Sequence, residues 1–186
     1  MSSTYSTNLA IELMGTGDQA GNWGATTNTN LGTLIEQAIS GYTTQAVVSG
    51  TDTTITIPNG ATGVARNMFL ELTGTGGAST NLIVPSNKKL YFIYNNTSSG
   101  QVTVKVSGQT GVSVPNGAKV LLVSNGTDIV NATNYMATLT LGTPLAVAQG
   151  GTGGTTSTGS GAVVLDRKST RLNSSHSQQS RMPSSA

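Results

Sequence analysis

Between residues 43 and 133, apolar and polar residues alternate with a period of two in one short run after another. That pattern buries one side chain and exposes the next, as a half-buried strand requires. In "TTITIP", Ile55 and Ile57 face one way and Thr54 and Thr56 the other. In "NMFLELTG", Met68, Leu70 and Leu72 oppose Phe69 and Glu71. In "QVTVKVSG", Val102, Val104 and Val106 oppose Thr103 and Lys105. Two further runs, "KLYFIYNN" and "KVLLVSN", are apolar on both faces and belong in the middle of a sheet. Turn chemistry separates the runs: "PNGA" at 58–61 and again at 115–118, "PSNK" at 85–88 and "NGTD" at 125–128. Proline presets the first turn dihedral, and Asn and Gly tolerate the positive φ that comes next. The spacing predicts a mainly β chain: an antiparallel, jelly-roll-like β-sandwich over 43–133.

One helix precedes this block. In "NLGTLIEQAIS", Leu31, Leu34, Ile35, Ala38 and Ile39 fall at helical spacing and form one apolar packing face. Asn30 is placed to cap the first turn, and Gly41 to close the last in the left-handed conformation. A helix of this length is marginal alone in water, so its stripe must dock on the sheet or on copies of itself. The residues before it, "YSTNLAIELMGTGDQAGNWGATTN", read as extended and turn-rich, with Trp23 as the anchor of the loop. After the strands comes "NYMATLTLGTPLAVAQGGTGGTTSTGSGAVVL", a Gly/Thr-rich C-terminal linker by composition.

Charge is scarce, at 9% of residues, which disfavours a helical bundle. The sequence pI of about 9.0 suggests an affinity for nucleic acid, but the distribution of charge argues against one. Residues 1–165 hold Arg66, Lys88, Lys89, Lys105 and Lys119 against Glu12, Asp18, Glu36, Asp52, Glu71 and Asp128. The excess of positive charge sits in the tail, on Arg167, Lys168, Arg171 and Arg181. No nucleic-acid partner is therefore expected for the body. Neither a long apolar run nor a basic leader occurs, so no membrane insertion and no secretory signal are expected.

Catalysis is not expected either. Residues 1–165 contain no His and no Cys, which removes Ser–His and Cys–His nucleophilic machinery. The six acids are scattered, without the pairing that glycoside hydrolysis needs. No metal is expected, because His and Cys ligands and an Asp-x-Asp calcium loop are lacking. No cofactor is expected: "GTGG" at 74–77 and "GGTGG" at 150–154 lack the Lys-Ser/Thr of a phosphate loop and read as a hairpin tip and a linker. The Asn-x-Ser/Thr triplets at Asn95, Asn96, Asn125 and Asn131 read as products of an Asn/Thr-rich composition. Tyr5, Tyr42, Tyr91, Tyr94, Tyr135 and Trp23 could stack on sugars, and packing is the preferred reading for each one alone.

Two stretches carry a resemblance. "GTGDQAGNWGATTNTNLGTLIEQAISGY", at 15–42, is similar to an N-terminal segment of tailed-bacteriophage tail-fibre proteins. In it a Gly-Asp…Trp-Gly…Asn…Leu pattern leads into a short helix, matched here by Gly17, Asp18, Trp23, Gly24, Asn30, Leu31 and Glu36. "PLAVAQGGTGGTTSTGSGAVVL", at 144–165, resembles the hinge of such fibres, with Gly150, Gly151, Gly153 and Gly154 as its core. The resemblance implies a non-enzymatic virion part, made in the host cytoplasm and assembled as a homotrimer. Its N-terminal side would meet a phage tail or baseplate protein, with Asp18 and Trp23 anchoring that loop. A more distal, C-terminal region would bind a host-surface glycan or protein. On this reading residues 1–28 are the attachment segment, 29–42 the helix, 43–133 the sandwich and 134–165 the hinge. A bacterial surface adhesin or carbohydrate-binding module, and a fragment of a glycan-cleaving tailspike, are the alternatives. The tail "DRKSTRLNSSHSQQSRMPSSA", 166–186, resembles translated sequencing adapter rather than protein. It is expected to be disordered, and the distal module that would continue from the hinge is expected to be missing.

Overall fold

The computed structural model describes residues 3–138, 140, 141 and 143. The expectations for the hinge glycines and for 166–186 lie outside the described residues. Residues 3–136 lie within one compact unit.

Within that unit the protein is mainly β, with two sheets that share one core. The strands are β1 (Thr4–Tyr5), β2 (Glu12–Leu13), β3 (Tyr42–Val47), β4 (Asp52–Thr54), β5 (Phe69–Gly74) and β6 (Asn81–Val84). They continue as β7 (Lys89–Asn95), β8 (Val102–Val106), β9 (Val112–Val114), β10 (Lys119–Ser124) and β11 (Ile129–Asn131). β1 and β2 pair alone; one main sheet runs β11-β10-β7-β5-β3 and the other β4-β6-β8-β9. The doubly apolar β7 lies at the centre of the five-stranded sheet, as its composition requires. The alternation also holds: Leu70, Leu72, Ile93, Leu82, Val102, Val104 and Leu122 point inward and are buried. Each such side chain contributes about 1.5–3 kcal/mol.

The two-sheet layout matches the sandwich expected from sequence, but the strand directions correct it. β3–β5, β5–β7, β4–β6 and β6–β8 pair in parallel. From β3 to β8 the chain alternates sheets at every strand, so it winds as a flattened coil. Each turn lays one new strand beside its predecessor in each sheet. Parallel neighbours need a crossover, usually a helix; here a strand of the opposite sheet serves. Only β9, β10 and β11 fold back antiparallel in the two main sheets. The "GTGG" at 74–77, expected as a hairpin tip, is accordingly a passage between sheets, from β5 to β6.

The helix is also longer than expected. Trp23–Thr29 (α1), a π-helical stretch Asn30–Ile35 and Glu36–Ser40 (α2) run on as one helix of 18 residues. Asn30 is therefore inside it and caps nothing. Its side chain instead clasps the β1–β2 hairpin: Nδ2 donates to Glu12 O at 2.9 Å and Oδ1 accepts from Glu12 N at 3.3 Å. Gly41 is extended, at φ −62° and ψ 129°, rather than left-handed. Glycine is needed there for space, since a Cβ would lie 2.3 Å from Gln37 O and 2.4 Å from Asn67 Oδ1.

The N-terminal segment is hydrogen-bonded to loops between the strands. Asn87 Nδ2 donates to Thr7 O and Asn8 O, both at 2.9 Å, and Gly60 N to Ala10 O at 2.8 Å. Fully buried Arg66 donates to Leu9 O, Pro58 O and Ala61 O. Beside it, Lys89 Nζ donates to Ala65 O, Arg66 O and Asn67 O at 3.1, 2.7 and 2.7 Å. Burial, and secondarily the Arg66 guanidinium, pull Lys89 down to about 7. The three carbonyls act in the opposite sense, because a neutral amine has only two N–H groups to offer them.

Candidate functional site

The winding stacks aromatic residues across the outer face of the five-stranded sheet. Register pairs Tyr42 of β3 with Phe69 of β5, Phe69 with Phe92 of β7, and Phe92 with Leu121 of β10. One step along the strands, the next row reads Thr44, Glu71, Tyr94 and Lys119. All eight are outward positions in the alternation, opposite the buried Leu70, Leu72, Tyr91, Ile93 and Leu122. Tyr42, at the sheet edge, is 59% exposed, while Phe69, Phe92 and Tyr94 are half-buried. The Phe69 and Phe92 rings lie 5.4 Å apart, tilted by 49°, within the range of favourable aromatic pairs. Tyr42, Phe69, Leu70, Phe92, Tyr94 and Lys119 line a groove of about 260 Å³ on this face.

A polar edge runs beside the aromatic row, centred on Glu71. Its Oε2 accepts from the Tyr42 hydroxyl and its Oε1 from Asn96 Nδ2 at 2.6 Å. The Tyr94 hydroxyl donates to Asn96 Oδ1 at 3.2 Å, and Lys119 Nζ lies 4.7 Å from the centre of the Tyr94 ring. The Tyr42 hydrogen bond, with that of Asn96 second, holds the Glu71 carboxyl below the usual carboxylate range. The same bond to Glu71 is the main cause that raises the Tyr42 phenol above its usual value. Glu71 thus stays ionised, and the Tyr42 ring is fixed by its own hydroxyl.

The packing face expected on the helix divides in two. Leu34 is 1% exposed and Ile35 and Ala38 are half-buried, whereas Leu31 and Ile39 are 59% and 64% exposed. The π-helical stretch explains the division. Its wider i→i+5 turns advance less per residue than the 100° of an α-helix. Leu31 and Ile39 are thereby separated from Leu34 and Ala38. Trp23, expected as a loop anchor, opens the helix and is 65% exposed. Asp18 sits in the preceding turn, where its N–H donates to Gly15 O at 3.0 Å.

Phe69, Glu71, Phe92 and Lys119 did not stand out in the sequence as site residues. A signal was present: phenylalanine occupies outward positions of "NMFLELTG" and "KLYFIYNN", where alternation normally puts polar residues. Among the described residues, no group of three His, Cys, Asp or Glu side chains could hold a metal ion. No described helix is long and apolar enough to cross a membrane. No family model, curated protein or solved structure matches the chain.

Proposed function

We propose that the protein is a structural component of a tailed-phage fibre, attached on its N-terminal side to the tail and assembled as a homotrimer through its helix. The observation that carries this reading is the divided stripe. Leu34 anchors the helix to its own chain, and Leu31 and Ile39 leave a second apolar line open for copies of the same helix. Lone exposed leucines need no explanation, but two large aliphatic residues on one line of one helix suit a seam around a threefold axis. The sequence resemblance at 15–42 supports the same reading. Sedimentation of the purified chain is expected to give three chain masses. Leu31→Ser with Ile39→Ser is expected to dissociate the assembly while leaving the fold intact. A monomer at high protein concentration would overturn the proposal. The aromatic row favours the carbohydrate-binding reading for a different part of the molecule.

A further inference from the structure

The outer face of the five-stranded sheet combines two features that a protein partner and a sugar would value differently. Its aromatic row is apolar and continuous across β3, β5 and β7. Adjacent strands lie about 4.8 Å apart, so three in-register rings extend over about 10 Å. Along one side of that row lie a carboxylate, an amide and an ammonium group, from Glu71, Asn96 and Lys119. The Lys119 ammonium has no hydrogen-bond acceptor among the described residues and lies over the Tyr94 ring. Glu71 accepts two hydrogen bonds and, as a carboxylate, has capacity for about two more. An apolar helix or sheet laid on this face would desolvate these groups without matching them, at a cost of a few kcal/mol. A pyranose chain has the complementary character: axial C–H groups on the ring face, and hydroxyls around the rim that both donate and accept.

We propose that this face is a glycan-binding site, which takes two to three hexopyranose units laid across the strands. Tyr42, Phe69 and Phe92 form the stacking row. Glu71 accepts from ring hydroxyls and Lys119 donates to them. The Tyr42–Glu71 bond holds the outermost ring in place before the sugar arrives, so little freedom is lost on binding. The glycan face and the helix seam use different residues, so either can fail without the other.

The test is binding of the full chain to an immobilised panel of glucose-, galactose- and mannose-based oligosaccharides, with sedimentation run on the same samples. Binding to at least one panel member is expected. Tyr42→Ala and Glu71→Gln are expected each to weaken it by about tenfold or more, the equivalent of roughly one lost stacking or charged hydrogen-bond contact. Tyr42 is exposed and Glu71→Gln keeps the shape, so unchanged circular dichroism is expected for both. Absence of binding across the panel would overturn the site, as would binding that survives both substitutions. A fall in sedimenting mass for Tyr42→Ala would also overturn it, marking the face as a contact between copies. Loss of the trimer with retained binding would instead sink only the assembly proposal.

Discussion

At the residue scale, single polar side chains tie together parts of the coil that are distant in sequence. Asp128, in the turn between β10 and β11, is the clearest case. Its Oδ1 accepts from Val106 N at 3.2 Å and Ile129 N at 2.7 Å, and its Oδ2 from Gly111 N at 2.7 Å. One carboxylate therefore joins the β10–β11 turn to the end of β8 and the approach to β9. Burial by itself would push this carboxyl up, but the backbone N–H groups of Gly111, Ile129, Val106 and Thr110 together hold it below its ordinary value. A folded-state pKa below the unfolded one stabilises the fold above about pH 3.9, and that stabilisation fades as pH falls through the folded value. Asp128→Asn keeps one acceptor oxygen and loses the charge. It is expected to lower stability by about 1–2 kcal/mol near pH 7. The gap from the parent should narrow as pH falls below about 3.9, because the unfolded parent then takes up a proton that the folded carboxylate resists. Urea unfolding on both sides of that pH checks this; a gap of equal size under the acidic condition would refute a charge-dependent role.

At the element scale, the helix shows how the same pattern can serve two partners. Leu34 is fully buried, so Leu34→Ala should cost about 2–4 kcal/mol in urea unfolding. Leu31→Ala, in solvent within the single chain, should change the stability of a dissociated chain by less than about 0.5 kcal/mol. Gly41→Ala should destabilise by more than an ordinary helix-end substitution, because its Cβ meets a backbone oxygen at 2.3 Å and the helix must shift to accept it. The helix stripe was legible in the sequence as a set of residues but not in its division. The division comes from the π-helical stretch Asn30–Ile35, and helical spacing in a sequence does not distinguish a π-helical turn from an α-helical one. Its extension back to Trp23 was not legible for a related reason. "WGATTNT" contains poor helix formers and buries none of its residues, so neither propensity nor an apolar stripe marks it as helix. Strands were easier to read, since inward and outward sets such as Leu70/Leu72 and Phe69/Glu71 follow from alternation alone. Alternation carries no strand direction, and so the aromatic row, which depends on which strands become neighbours, could not be assembled from it.

At the scale of the whole molecule, the coil makes the two sheets one object. From β3 to β8 no two consecutive strands are neighbours in a sheet. Each passage that closes a turn of one sheet is itself a strand of the other, so losing one strand opens both. Two separately stacked antiparallel sheets, each built from local hairpins, could come apart singly; this arrangement cannot without unwinding. Leu82 of β6 lies in the four-stranded sheet and Leu122 of β10 in the five-stranded sheet, and both are fully buried in the shared core. Leu82→Ala and Leu122→Ala are each expected to cost about 2–5 kcal/mol. The informative quantity is where that cost is felt. Amide exchange at Val104, in the four-stranded sheet, and at Ile93, in the five-stranded sheet, should accelerate by the same factor in either variant, because both amides exchange only through global opening. If Leu82→Ala released Val104 while Ile93 kept its parent protection, the sheets would be independent folding units and the coil would be only a path of the chain. Equal acceleration at the two amides in both variants would establish that the winding, rather than pairing within either sheet, sets the unit of stability on which the aromatic row is carried.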